Sequence, residues 1–466
     1  QKGNYFIQKE PLLFSASNMK GLEGTVQDEV ILVCSVNGPC VDLRETTSRH
    51  APEILRSLTF RRSSNFTGIK SSAVACADLS TDFTLEDCMF IGFDRALDFR
   101  RVTRKLLIKH LTFLHNVAPD DGLGGGAILI DSCVDVKISS SNFSFNRSPY
   151  SDGGAIAIHS IKTSSVVSMT DCRTEKNVAQ GRGGAVFVGR TSVLAVASTH
   201  MESDIATEGG GAVTAFAATL SIENVTIISS SSSSGALQCI ASSLQMYQST
   251  VNNTTGLGIS GDLCVATLSN STVAHNQGGG VAFAAQSNIQ VKNCDFVSNI
   301  AVLRDGGGLL CNGCDRLLVD ANTKFDGNAA LRGGGMAVIN TLNVLLEQTT
   351  SFTNNRATSG GGGGLFWSSL SSLEPVFVET NTWFGNLALY GSNVASNAIG
   401  VRMRGADDGM MPSQKNSEKY DKIVVQVVDF YGTKAADLTE RTVVSVRSLN
   451  ETAPVRGTLE VALKSD

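Results

Sequence analysis

The sequence predicts an all-β chain: a right-handed parallel β-helix followed by the start of an immunoglobulin-like β-sandwich. Three observations point there. Glycine clusters return ten times between Gly124 and Gly391, and most follow an F-x-x-N-x-A phrase. The phrase stands at Phe113-Leu-His-Asn116-Val-Ala118, Phe143-Ser-Phe-Asn146, Phe296-Val-Ser-Asn299-Ile-Ala301, Phe325-Asp-Gly-Asn328-Ala-Ala330, Phe352-Thr-Asn-Asn355-Arg-Ala357 and Trp383-Phe-Gly-Asn386-Leu-Ala388, with weaker copies at Asn177 and Asn276. Where neighbouring copies are legible, the asparagines step by 30, 31, 23, 29, 27 and 31 residues, so the period marks a repeating structural unit.

One unit shows how the chain folds locally. Leu106-Leu-Ile-Lys-His-Leu-Thr-Phe113 alternates apolar and polar residues, Pro119-Asp-Asp-Gly122 turns, and Gly124-Gly-Gly-Ala127-Ile-Leu-Ile130 resumes an apolar run. A period of two marks strands, and Gly or Asn supplies positive-φ corners; the 3.6 period of a helix does not persist. Val134, Val136 and Ile138 then share one face before the next Phe143. Two or three short strands per coil, stacked about 4.8 Å apart, make a solenoid of the pectin-lyase type, and ten to twelve coils give a rod about 50 Å long. The expected interior is one aromatic ladder of Phe113, Phe143, Phe296, Phe325, Phe352 and Trp383, each ring covering the last. Asn116, Asn146, Asn177, Asn299, Asn328, Asn355 and Asn386 are expected at left-handed corners, each donating its amide to the next coil.

Residues 1–55 lack the repeat and read as an N-terminal cap, since an open terminal coil exposes strand edges and core. Residues 56–400 read as the β-helix and 401–419 as a polar linker. From 420 to 466 the texture becomes Ile423-Val-Val-Gln-Val-Val-Asp-Phe430, Val443-Val-Ser-Val-Arg447 and Thr458-Leu-Glu-Val-Ala462, the opening strands of an immunoglobulin-like sandwich. Strands from further sequence would complete it, or strands added at its edge by a partner chain, and the second option implies assembly.

In the 466 residues charged side chains are 17% and the net charge is −5, which disfavours nucleic acid or an anionic membrane as partner. No uncharged apolar run is long enough to span a bilayer as a helix. An opening at Gln1 fits either a cleaved leader or an internal piece of a longer chain. Sequons at Asn65, Asn142, Asn146, Asn224, Asn252, Asn253, Asn270 and Asn450 favour export and N-linked glycans, placing the chain outside the cell or on its surface. Eleven cysteines suggest disulfides with at least one thiol unpaired; Cys34 with Cys40 and Cys239 with Cys264 are the expected pairs. Cys88, Cys172 and Cys294 should point inward, more than one coil apart and out of bridging range of one another. Cys311-Asn-Gly-Cys314 lacks a second half-site for zinc and reads as a local disulfide or turn.

Paired F-x-x-N and G-G-A-[I/L/V] phrases occur here as Gly125-Gly-Ala-Ile128, Gly153-Gly-Ala-Ile156, Gly183-Gly-Ala-Val186 and Gly210-Gly-Ala-Val213. Over about residues 80 to 395 the chain resembles the polymorphic outer-membrane protein repeats of chlamydial autotransporters, and similar repeats of large eukaryotic surface proteins; the dense sequons suit a eukaryotic relative. It departs where the phrase decays to Ser234-Gly-Ala236 and Thr255-Gly-Leu-Gly258, and where Phe93 replaces the Asn expected after Phe90. The resemblance implies a β-helix used for display and adhesion, with no catalytic residue to carry over.

Functional candidates are sparse. Asp120-Asp121 is the carboxylate pair inside the repeat, and Asp152 and Asp305 precede glycines along the same edge. They read as solvated turn residues or calcium contacts, because no partner phrase completes an acid and base set. His50, His110, His115, His159, His200 and His275 lack an i,i+4 pair or a neighbouring nucleophile, and the run Arg100 to Lys105 could grip an acidic glycan. The expectation is a non-enzymatic structural or adhesive rod, a repeating subunit of a surface filament or sheath, with no cofactor beyond calcium and self-assembly or a surface complex as partnership. The alternative is a β-helix that binds or cleaves polysaccharide.

Overall fold

The computed structural model describes residues 3–8, 12–13, 21–23, 30–35, 38–43, 53–63, 72–79, 81–161, 163–320, 322–347, 349–368, 374–377, 381–404, 424–435, 442–445 and 460–463. Three long parallel sheets form the body. Sheet 1 has fifteen strands from Gly3–Gln8 to Thr382–Phe384, sheet 2 fifteen from Leu12–Leu13 to Val394–Ser396, and sheet 3 fourteen from Gly21–Glu23 to Val376–Phe377. Each coil visits them in turn, as in Thr112–Leu114, Ile128–Asp131 and Asp135–Ser139, before Asn142–Ser144 opens the next. Parallel pairing stacks every strand on its counterpart one coil later. Fifteen strands about 4.8 Å apart span about 67 Å, longer than the sequence suggested.

The extra length comes from residues 1–55, where a separate cap was expected. Their described residues are instead the first coils: Gly3–Gln8 pairs with Val30–Ser35, which pairs with Thr59–Arg62. Leu32 takes the inward position that Phe60 holds one coil later, so apolar alternation continues although the F-x-x-N phrase is missing.

The single aromatic ladder is in fact two. Phe60, Phe90, Phe113 and Phe143 stack at centroid spacings of 5.0, 5.2 and 4.8 Å. Phe296, Phe325, Phe352 and Trp383 stack at 4.8, 4.7 and 4.5 Å. Between them Thr174, Met201, Ile227, Val251 and Val273 hold the inward position. Smaller side chains fill the middle of the rod, where the glycine phrase also decays.

The asparagine ladder also differs from expectation. Each Asn follows the left-handed residue, which is His115, Phe145, Lys176, Ser298, Gly327, Asn354 or Gly385. Asn146 donates its amide backward to the Phe113 carbonyl at 3.2 Å and forward to Asn177 Oδ1 at 3.0 Å, while that Oδ1 also accepts the Asn146 backbone N–H. Asn328 repeats the set with Phe296 and Asn355. Three bonds per link satisfy a bend that has no strand partner of its own. In the coil where Asn would be Phe93, the backbone N–H still donates to Asn116 Oδ1 at 3.0 Å.

At the far end Ala398–Arg404 runs antiparallel to Val424–Asp429, so the boundary expected at 400/401 cuts through a strand. Residues 405–419 of the expected linker lie outside the described residues. Val427 and Ala435 pack with Phe366, Tyr390 and Ala395, and Trp367 Nε1 donates to Tyr431 Oη at 3.0 Å, so this segment covers the last coil. For the sandwich expected over 420–466, the described residues hold this strand plus Thr442–Ser445 paired antiparallel with Glu460–Leu463. Cys34 is joined to Cys40, Cys239 to Cys264 and Cys311 to Cys314, whereas Cys76, Cys88, Cys133, Cys172 and Cys294 are buried free thiols. Among the described residues no helix is long and apolar enough to cross a membrane.

Candidate functional site

The sheet-2 face and the turns that enter it bring arginines, acids, a histidine and aromatic rings together. Inward residues alternate with outward ones along each sheet-2 strand, so parallel register lines up Arg100, Asp131 and His159 on the outer surface in three successive coils. Phe187 and Phe216 continue the face, and Arg182 lies over both rings at 4.7 and 4.8 Å. His159, Arg182, Phe187 and Phe216, with Gly122, Asp152, Ser160 and Arg190, line a groove of about 350 Å³. His159 Nε2 lies 2.7 Å from the Leu123 carbonyl, and Asp131 accepts from Ser132 Oγ at 2.8 Å. Arg190 is exposed.

The acids expected on the turn edge are spent on arginines. Asp121 takes a bidentate pair from Arg95 at 2.8 and 2.9 Å, and Arg95 is only 2% exposed. Burial pushes the Asp121 carboxyl up, but the hydrogen bonds and charge of Arg95 outweigh it and hold the group below the usual carboxylate range. Asp152 binds Arg182 at 2.7 Å and Asp305 binds Arg332 at 2.8 Å, and Arg332 stacks on Phe366 at 4.6 Å. Asp120 is exposed beside this edge. Asp121, Asp152 and Asp305 therefore recur as one device along a flank, each neutralised by a guanidinium, and are not gathered into one cluster. Such fork pairing fixes the turn geometry and leaves little carboxylate free for a cation.

Sequence reasoning missed Arg95, Arg182, Arg332 and the aromatic rings under the last two. A signal existed: Asp-Gly in one coil, as at Asp152 and Asp305, is answered one period later by Arg-Gly-Gly, as at Arg182 and Arg332. Of the described histidines, His110 lies 3.2 Å from Asp87 with Glu86 beside them, and His115 stacks on Phe145; His50 lies outside the described residues. Within the run 100–105, Arg100 pairs with Asp98 and Arg101 with Asp78.

The glycan candidates separate by burial. Asn142, Asn224, Asn253 and Asn270 are exposed, and the last three sit at left-handed corners; Asn252 is half-buried. Asn146 is fully buried in the ladder with its amide engaged on both sides, so it leaves the candidate set. Asn65 and Asn450 lie outside the described residues.

A family model described as right handed beta helix region matches residues 157–329 and 210–405. The chain belongs to this family of parallel β-helix proteins. No curated protein sequence matches it. Among solved structures it is similar to two mannuronan C-5 epimerase A-modules of Azotobacter vinelandii. That of AlgE4 is 11% identical, covering 85% of this chain and 91% of that one at a TM-score of 0.31. That of AlgE6 is 11% identical, covering 83% and 91% at a TM-score of 0.27.

Proposed function

We propose that the chain is an elongated structural or adhesive rod that works outside the cell or on its surface, presenting its outer faces to partners and turning over no substrate. One observation carries the reading. The inward and corner positions of successive coils are committed to register-locked ladders, and the edge acids to arginines, so the specific chemistry left over is surface chemistry. The resemblance to polymorphic outer-membrane protein repeats supports display, and N-linked glycans on Asn142, Asn224, Asn253 and Asn270 fit an exported chain. The test is incubation with a panel of neutral and acidic polysaccharides, with and without calcium, reading bound chain and released ends separately. Retention with no new chain ends is expected; release of ends in step with protein concentration would overturn the reading.

A second reading is supported by the sheet-2 groove, whose Arg190, His159 and Ser160 could hold the carboxylates and hydroxyls of an acidic polysaccharide. On this reading Arg190→Ala weakens retention on acidic glycans by about tenfold, the loss of one charge-assisted contact. Unchanged retention sinks it.

A further inference from the structure

The outer face of sheet 3 is organised differently from the other two. Its strands from Val166–Thr170 to Val265–Ser269 present fifteen outward positions, of which Glu223 alone is charged. The rest are Val, Ala, Ser, Thr, Gln and Tyr, and Val166, Tyr247 and Val265 are 45%, 40% and 56% exposed. The strands pair without register shifts, so the surface is a regular lattice. Charges return in the strands on either side, with Glu347 just past the strand Asn343–Leu346. Lys105, Lys109, Asp135 and Lys137 stand toward the N-terminal end, and Lys292, Arg316, Asp320 and Glu347 toward the C-terminal end.

We infer that this face is a self-association surface on which a second copy of the chain packs sheet against sheet, with its rod axis reversed. The charge pattern selects that orientation. A two-fold axis parallel to the strands keeps each strand position opposite its own kind while reversing coil order. Asp135 then faces Arg316 of the second copy, while Lys109, which its own chain already pairs with Glu86 at 2.9 Å, lies opposite Glu347. Val193 faces Val265 in the uncharged centre. The other two-fold choice, with rods running the same way, sets Lys105 against Lys109 and Lys137 against its own copy, and Arg316 with Asp320 is the opposed pair it brings.

Two further observations agree. Asp135, Lys137 and Arg316 make no ion pair within the chain among the described residues, so their charges are available to a partner. At the C-terminal edge the neighbouring Asp320 raises the pKa of Glu347. The ten strands from Lys105–Lys109 to Asn343–Leu346 cover about 750 Å², close to the roughly 800 Å² per partner of a stable interface. Sheets so packed sit about 10 Å apart, a distance that side chains of Val, Thr and Gln size fill. Asn224 and Asn270 stand on the corner beside this face, where glycans would rim the contact.

The inference rests on the reading of the chain as an assembling rod, yet it fails separately: a monomer would leave glycan retention as measured. The experiment is sedimentation velocity of unglycosylated full chain at ~50 µM in low salt, a concentration at which an interface of this size is occupied. A dimer is expected. Arg316→Glu and Asp135→Arg should each raise its dissociation constant at least about tenfold, because the reversed pair occurs twice by symmetry, and the double variant should recover to within about threefold of wild type. Val265→Lys, a fully tolerable change in the isolated chain at an exposed site, should also dissociate it. A monomeric wild type, a dimer indifferent to these changes, or a double variant no tighter than the singles would each overturn the inference. Circular dichroism of every variant confirms that the rod itself is intact.

Discussion

At the scale of single residues, Asp204 is where the corner ladder changes chemistry. It is fully buried in the position Asn holds elsewhere, and its Oδ1 accepts from Asn177 Nδ2 and backbone N–H, both at 2.9 Å. Thr174, standing where the aromatic ladder has Phe143 one coil earlier, donates to Oδ2 at 2.6 Å. The two exceptions are therefore one paired substitution. Burial pushes the Asp204 carboxyl up to about 7 against these hydrogen bonds. A group whose folded pKa lies above its unfolded value binds extra protons when folded, so its contribution to stability is full below about pH 4 and is lost as pH rises through 7. Urea unfolding should show stability falling by on the order of 2–4 kcal/mol between about pH 4 and 8 from this group. Asp204→Asn, which restores the usual amide, should flatten that dependence and exceed wild type at pH 8; an unchanged slope would assign it elsewhere.

At the scale of one coil, the glycine cluster divides into two jobs that the sequence presents alike. Gly122 turns at φ 72° with open space around it, so a side chain there meets only conformational strain. Gly154 has no such φ; a Cβ there would overlap the Gly184 carbonyl and stand 2.7 Å from the Val178 backbone. Gly122→Ala should cost about 1 kcal/mol and Gly154→Ala about 3 kcal/mol or more, measured as shifts of the denaturation midpoint at constant m. Equal costs would mean the coils can spread apart. The period was legible because Phe, Asn and Gly recur in sequence. Which glycine admits the neighbouring backbone was not, since that depends on where the next coil lies.

At the scale of the whole molecule, a solenoid is held by contacts between neighbours and tolerates loss of one complete unit. Deleting residues 296–324, one coil by the Phe296 to Phe325 register, removes the Cys311–Cys314 bridge together with its loop and rejoins equivalent positions. The shortened chain should remain cooperatively folded with its length reduced by about 4.8 Å, read by small-angle scattering. A collapse of structure would show that stability is not shared coil by coil. Alternation and a phrase period sufficed to predict the parallel helix, the inward Phe113 and Phe296 and the paired Cys239 and Cys264, because each reports a local backbone repeat. They did not reveal that the described residues within 1–55 already belong to coils, since Leu32 does the work of a phenylalanine without belonging to any phrase. Nor did they reveal that Arg182 and Arg332 neutralise Asp152 and Asp305, or that Asn146 is sealed in the ladder rather than offered to a glycan. The sequence by itself determined the coil and its period; the tertiary structure decided which acids stay free, which faces stay flat and where the rod begins, because those depend on pairing between residues one coil apart.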